Sequence, residues 1–412
     1  MAPIAAGVEF LEAPLAVFGL MLVLGALISG LAGRSFLSLT AAFVVAGFLL
    51  GEGGAEVLEF DATSAFVQGV AVVALVLLLF RDGLEVEREM LHDAWHLPLR
   101  KLVLAMPITA VLVALVTHAL TDLGWTESFL VGALLSPTDP VLSSSVITNP
   151  RVPRLIRHSL NLESGLNDGL ALPAVLAFTA AAAGDDDFTW WQFVLQDVLV
   201  GVTTGLVVAF AASRLMPGGR ALGHEISRHQ KALYAIGVAF TAYGAATLPP
   251  EGNGFIAVFV AAIAFGIWRP DIAESFEAQS EDVVELVKLG VFLVFGAIIT
   301  LDGLFGDGWA AVGIVAFTLL LVRPVAVFAA LAGSRQVGTA EKAFMSWFGP
   351  KGVATMAFAL FVLGSAVPEA ERVFNIAALA VLVSIIAHGL TDHAGSEWIS
   401  RREAAQSRLA RW

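Results

Sequence analysis

Apolar runs of about 17 to 25 residues recur from one end of this chain to the other, each long enough to cross a hydrocarbon core of roughly 30 Å as a helix. Inside a bilayer every backbone N–H and C=O must be paired within the chain, so only helices or a closed barrel are available. A barrel shows strict alternation in runs of about 10 residues. The stretch ending at Phe80 is instead apolar on every side. Of the 412 residues, 58% are hydrophobic and 14% charged, with a mean hydropathy of +0.82, which excludes a water-soluble domain. An all-α polytopic membrane protein is the expected class.

Windows separated by polar or Gly/Pro breaks give thirteen candidate spans. They are 14–32, 38–51, 64–84, 101–121, 128–147, 160–183, 190–215, 230–248, 254–268, 282–301, 308–332, 342–365 and 373–391. Loop charges supply an independent check, because cytoplasmic loops collect Lys and Arg. With the N-terminus outside, Arg34, Arg100, Lys101, Arg151, Arg154, Arg228, Arg335 and Arg401 fall on the cytoplasmic side. Glu52, Asp61, Asp122, Asp185, Glu251, Asp302, Asp307 and Glu369 fall opposite, with Arg372 the one basic residue among them. Localisation in the cell inner membrane follows. Residues 1–12 lack a basic leader region, so no cleavable signal is expected, and 393–412 reads as a short cytoplasmic tail. Cysteine is absent, which removes disulfides and thiolate metal sites.

A charge at the bilayer centre costs about 3 kcal/mol or more and is kept for transport or pairing. Three clusters hold nearly all such groups. In Ser136-Pro137-Thr138-Asp139-Pro140 two prolines interrupt the fifth span and free backbone carbonyls and amides beside Asp139. In Glu163-Ser164-Gly165-Leu166-Asn167-Asp168-Gly169, helical spacing puts Ser164 and Asp168 on one face and Glu163 with Asn167 on the next. Asp168 and Ser164 are expected to face a cavity at the broken helix, while Glu163 turns to a fixed partner, for which Arg323 before Pro324 is the candidate. The third cluster, Phe348-Gly349-Pro350-Lys351-Gly352, repeats the broken pattern seven spans later. Two such breaks at an odd spacing are what inverted repeats with two crossed discontinuous helices produce, with Lys351 and Asp139 balancing the helix-end dipoles. The charges of Phe80-Arg81-Asp82-Gly83-Leu84-Glu85 line a funnel or mark the interface, and Lys288 pairs locally with Glu285.

These motifs, Thr-Asp-Pro, Glu-Ser-x-x-Asn-Asp-Gly, the span-borne Arg-Pro and the late Gly-x-Lys-Gly, together resemble the monovalent cation:proton antiporters. Within them Asn167-Asp168 is similar to the sodium/proton exchangers of the NhaP and NHE kind. The resemblance implies a transmembrane antiporter domain over 1–392. Its moving core is formed by 101–183 and 308–391, and its dimerisation part by 14–84 and 190–301. It also implies a homodimer. Asp168 binds cation or proton, Ser164 and Thr138 add oxygens for Na+, Asn167 supports the site, and Glu163 with Arg323 forms a structural ion pair. Asp82 and Asp139 are further candidate ligands, although Arg81 stands where relatives often have an acidic residue.

A carboxylate neutralised by either ligand explains electroneutral one-for-one antiport of Na+ or Li+ for H+, with no cofactor and no enzymatic chemistry. K+/H+ exchange by the same mechanism is the alternative, and a cation-coupled symporter the third reading. Lipid, monovalent cations and protons are the expected partners, and no nucleic acid.

Overall fold

The computed structural model describes residues 12–32, 39–90, 96–139, 146, 149–150, 152–184, 189–216, 226–334 and 336–409. Pro140, Arg34, Arg151, Asp185 and Arg335 lie outside the described residues. The described elements are helical throughout, with no strand among them. They are α1 (Glu12–Ala32), α2 (Leu39–Leu50), α3 (Ala65–Met90), α4 (His96–Leu120), α5 (Trp125–Leu134), α6 (Arg154–Ala182) and α7 (Trp190–Leu215). There follow α8 (Arg228–Ala246), α9 (Gly254–Trp268), α10 (Pro270–Ile298), α11 (Trp309–Ala330), α12 (Thr339–Trp347), α13 (Val353–Leu363) and α14 (Ala370–Leu409).

Each predicted span overlaps one of these helices, but the number of crossings is not thirteen by length alone. Six helices are long and apolar enough to cross by themselves, α3, α4, α6, α7, α11 and α14; α1, α2 and α13 are shorter apolar helices. Helices α9 and α10 meet at a bend of 117°, which turns the chain back on itself.

Local chemistry sets these boundaries. Ser227 and Gln230 close a capping box on α8, and the Asn253 side chain accepts from the backbone N–H groups of Phe255 and Ile256 at the start of α9. Pro270 opens α10, where its missing N–H leaves no bond unmade. Three π turns interrupt the helices, at Lys101–Ala105 in α4, Phe193–Val198 in α7 and Thr318–Val322 in α11.

The last helix differs from expectation. No Gly-Pro break follows Asp392, and Glu397 and Arg401 pair one turn apart at 2.7 Å, so α14 continues through the predicted tail to Leu409. At about 1.5 Å per residue its 40 residues outrun the bilayer. Its far end packs back on α12, with Ile399 buried and Trp398 stacked on Phe344 at 6.5 Å. Among the remaining helices, α9 lies against α3 and α7, α10 against α2 and α8, α5 against α4 and α6, and α13 against α14. Helix α3 touches both sets, meeting α6 and α13 as well as α9 and α10.

Candidate ion-exchange site

Helix α5 stops at Leu134 and α12 at Trp347, and the extended segments that follow cross in direct contact. The Asp139 N–H donates to the Pro350 carbonyl at 2.8 Å. Lys351, fully buried, donates from Nζ to the Pro137 carbonyl at 3.0 Å, beyond the C-terminal end of α5. In return the Asp139 carboxylate accepts from the Val353 N–H at 3.3 Å, at the N-terminus of α13. A positive charge thus meets a carbonyl end and a negative charge an amide end, the arrangement that helix dipoles favour. The crossing admits no side chain at Gly352, where a Cβ would lie 2.0 Å from that of Asp139, nor at Gly349, where it would lie 1.8 Å from Arg323 Nη2.

On α6, Asn167 Nδ2 donates to the Thr138 carbonyl at 2.6 Å and lies 3.1 Å from its hydroxyl, which ties the helix to the first break. Its Oδ1 is buried and has no partner among the described residues. Asp168, only 7% exposed, stands next to it, and no described residue forms a hydrogen bond or ion pair with its carboxylate. Ser164, one turn away, is half-buried. A buried carboxylate without a hydrogen bond or ion pair among the described residues, one helical turn from a hydroxyl and next to an amide tied to the Thr138 carbonyl, brings together oxygen groups of the kind that suit a hard cation or a proton. No cluster of three or more His, Asp or Glu suited to a metal ion occurs among the described residues.

Glu163 faces away from Asp168 and lies between two cations. Arg323 Nη2 reaches its Oε1 at 3.4 Å, so the structure brings the two sequence-paired residues together. The closer partner is Lys101, whose Nζ meets Oε2. Lys101 is therefore not a loop residue: α4 begins at His96, and its ammonium is buried one turn inside. Its neighbour Arg100 made the pair read as a cytoplasmic loop; only the partner on α6 distinguishes them. Both cations sit on or just after π turns, in α4 and α11, where the extra residue re-aims the side chain.

Asp82 is buried at 1% exposure, and Arg81 binds its Oδ1 through Nε and Nη2 at 2.8 and 2.6 Å, leaving Oδ2 without a partner among the described residues. Helix α3, which carries Arg81 and Asp82, packs against α6, which carries Asp168. Lys288 is buried on α10 and pairs locally with Glu285 as its spacing suggested, Nζ to Oε2 at 3.5 Å. Sequence reasoning also left unassigned a polar chain at the second break. The Lys351 N–H donates to Ser384 Oγ at 2.9 Å, Ser384 Oγ lies 3.1 Å from His388 Nδ1, and His388 Nε2 lies 2.7 Å from the Trp347 carbonyl. His388 Nδ1 also lies 2.7 Å from the Ser384 carbonyl, so a carbonyl oxygen faces each ring nitrogen and the neutral imidazole donates to only one of them.

A family model described as the transmembrane part of sodium/hydrogen exchangers matches residues 20–393. The chain is 25% identical over 378 residues to the K(+)/H(+) antiporter NhaP2 of Shewanella sp. (strain ANA-3), covering 90% of this chain and 64% of that protein. It is 25% identical over 401 residues to the K(+)/H(+) antiporter NhaP of Alkalimonas amylolytica, covering 95% of this chain and 67% of that one. To the Na(+)/H(+) antiporter NhaH of Halobacillus dabanensis it is 25% identical over 379 residues, 85% of this chain and 89% of that one. The chain spans about two thirds of the length of the first two. Its fold is shared with the solved sodium proton antiporter MjNhaP1 of Methanocaldococcus jannaschii at pH 8, with a TM-score of 0.78 at 17% identity over 95% of this chain and 100% of that one.

Proposed function

Because the chain belongs to the sodium/hydrogen exchanger family, we propose that it is a secondary antiporter of the cell inner membrane, exchanging Na+ or Li+ for H+ one for one by competition at Asp168. The observation that carries this reading is the Asp168 carboxylate, buried beside the crossed breaks with no hydrogen bond or ion pair from any described residue. Either ligand neutralises it, whereas a bare carboxylate crossing the bilayer centre costs about 3 kcal/mol or more, and that difference couples the two fluxes.

In this reading Na+ is held by Asp168, Ser164 and the Thr138 carbonyl, and Asn167 fixes the Thr138 backbone. Asp139 and Lys351 neutralise the helix ends at the crossing, and Glu163 with Arg323 and Lys101 braces α6 against α11 and α4. Asp82, engaged by Arg81, adds charge beside the site rather than a direct ligand. The moving core comprises α4 to α6 and α11 to α14, and the scaffold α1 to α3 and α7 to α10, in line with the packing preferences of these helices. The scaffold forms the homodimer contact, and the N-terminus lies outside.

K+ in place of Na+ is the second reading, favoured by the relatives named as K(+)/H(+) antiporters. The test uses everted membrane vesicles with a fluorescent pH probe, adding Na+, Li+ and K+ separately to wild type and to Asp168→Asn. Dissipation of the proton gradient in wild type alone supports exchange at Asp168, and the order of ions assigns the substrate. An equal response from Asp168→Asn sinks the assignment, and silence with every alkali cation sinks the antiport reading.

A further inference from the structure

The last helix holds both flanks of the second break on one face. Ser384, His388, Thr391 and Gly395 recur at steps of four, three and four, the spacing that lines residues up along one side of α14. Ahead of the break, His388 Nε2 lies 2.7 Å from the Trp347 carbonyl, the Trp347 indole N–H donates to Thr391 Oγ1 at 2.8 Å, and the imidazole and indole rings stack at 5.2 Å. Behind it, the Lys351 N–H donates to Ser384 Oγ at 2.9 Å. At Gly395 any side chain would run into the Phe348 ring, so the helix lies close against the end of α12.

The Trp347 carbonyl also accepts from the Gly349 N–H at 2.9 Å, across Phe348 at φ −79° and ψ 77°, which is an inverse γ-turn. A donor on His388 therefore engages the second lone pair of the oxygen that closes this turn. A neutral imidazole has one N–H to give. Ser384 Oγ, having accepted from Lys351, keeps its own hydrogen for His388 Nδ1 at 3.1 Å, and the Ser384 carbonyl belongs to the ladder of α14, which assigns the imidazole N–H to Nε2 and Trp347. From the turn the path to the first break is short. The Pro350 carbonyl accepts from the Asp139 N–H at 2.8 Å and Lys351 Nζ donates to the Pro137 carbonyl at 3.0 Å, so the residues on either side of Thr138 are both bonded to the segment that the turn aims.

We propose that His388 is a positioning residue for exchange: its Nε2–H braces the turn at Phe348 through the Trp347 carbonyl, and through Pro350 and Lys351 that turn sets where Thr138 offers its oxygens to the cation. The inference rests on the antiport reading at Asp168 and deepens it by adding a residue that acts on the site through the crossing. Loosening the turn leaves the Asp168 carboxylate in place and shifts the oxygens beside it, so affinity for the cation falls more than the maximal rate.

The experiment uses the purified full chain in proteoliposomes with a fluorescent pH probe inside. Exchange is measured against Na+, Li+ and K+ concentration, and each rate is divided by the amount of folded carrier found by size-exclusion chromatography. With the cation that wild type exchanges, His388→Leu is expected to raise the half-saturating concentration about tenfold while the maximal rate changes by less than about twofold. His388→Gln, whose amide is long enough to donate to the Trp347 carbonyl, is expected to restore the wild-type value, and His388→Asn, one methylene shorter, is not. A histidine that only fills space predicts instead a loss of folded protein or of maximal rate with the half-saturating concentration unmoved. That result overturns the proposal, as do equal half-saturating concentrations for His388→Gln and His388→Asn, the comparison that decides if His388→Leu yields no folded carrier. A wild type that exchanges no alkali cation brings down the antiport reading and the inference with it; intact wild-type exchange beside an unmoved half-saturating concentration in the variants brings down the inference alone.

Discussion

Glu163 is a single buried residue paired on two sides, and the proposed function gives it a positioning role rather than an exchanging one. It bridges Lys101 and Arg323, and removing its charge leaves two buried cations without their counter-ion. Glu163→Gln is expected to cost about 3–5 kcal/mol, the cost of breaking a buried pair from one side, and to lower the unfolding temperature in detergent accordingly. Lys101→Met is expected to cost less, because Arg323 still faces Glu163 and the methionine fills the apolar volume. Equal losses from the two substitutions, measured by thermal unfolding, would remove Lys101 from this role.

At the scale of elements, the crossing depends on glycine where two backbones meet. Gly352→Ala drives a methyl into Asp139, and Gly349→Ala drives one into the Arg323 guanidinium. Each is expected to reduce vesicle exchange by about tenfold or more while the helices still insert, since a displaced crossing misplaces Thr138 and Lys351 by the ångström that matters for binding geometry. A second element-scale device ties the outer ends of three segments. Arg372 at the start of α14 binds Asp307 before α11 through Nε at 2.8 and 3.0 Å, and reaches Asp122 between α4 and α5 through Nη2. Hydrogen bonds from Arg372 hold the exposed Asp122 carboxyl below its ordinary value of 3.8. The clamp is therefore complete above that pH and is lost as pH falls through the lowered value. Acidification from pH 6 to pH 3 is expected to lower the unfolding temperature more in wild type than in Arg372→Gln; parallel curves would refute a stabilising clamp.

For the whole molecule, α7 is the long helix least covered by the rest of the chain, with 22% of its apolar window buried, and Leu206, Val207 and Phe210 face outward. The sequence has no cysteine, so a single introduced thiol reports contact between copies without background. If α7 lines the two-fold contact proposed for the scaffold, oxidation of Phe210→Cys in membranes gives a cross-linked dimer, and a thiol at the exposed Val325 of α11 does not. The reverse pattern would move the interface to the core side.

The amino-acid sequence by itself determined the class, the helical segments and the two breaks. Apolar run length and proline act locally, and a backbone that lacks donors cannot continue a helix whatever surrounds it. It also determined that Ser164 and Asp168 share a face, because helical period is a local property. Which charges meet was decided by the tertiary structure. Glu163 to Lys101 and Lys351 to Pro137 join residues far apart in the chain, and a buried ammonium looks like a loop ammonium until its partner is in place. The physical reason is that the energy of a charge in the membrane is set by what lies within a few ångströms of it in space, and packing alone supplies those neighbours.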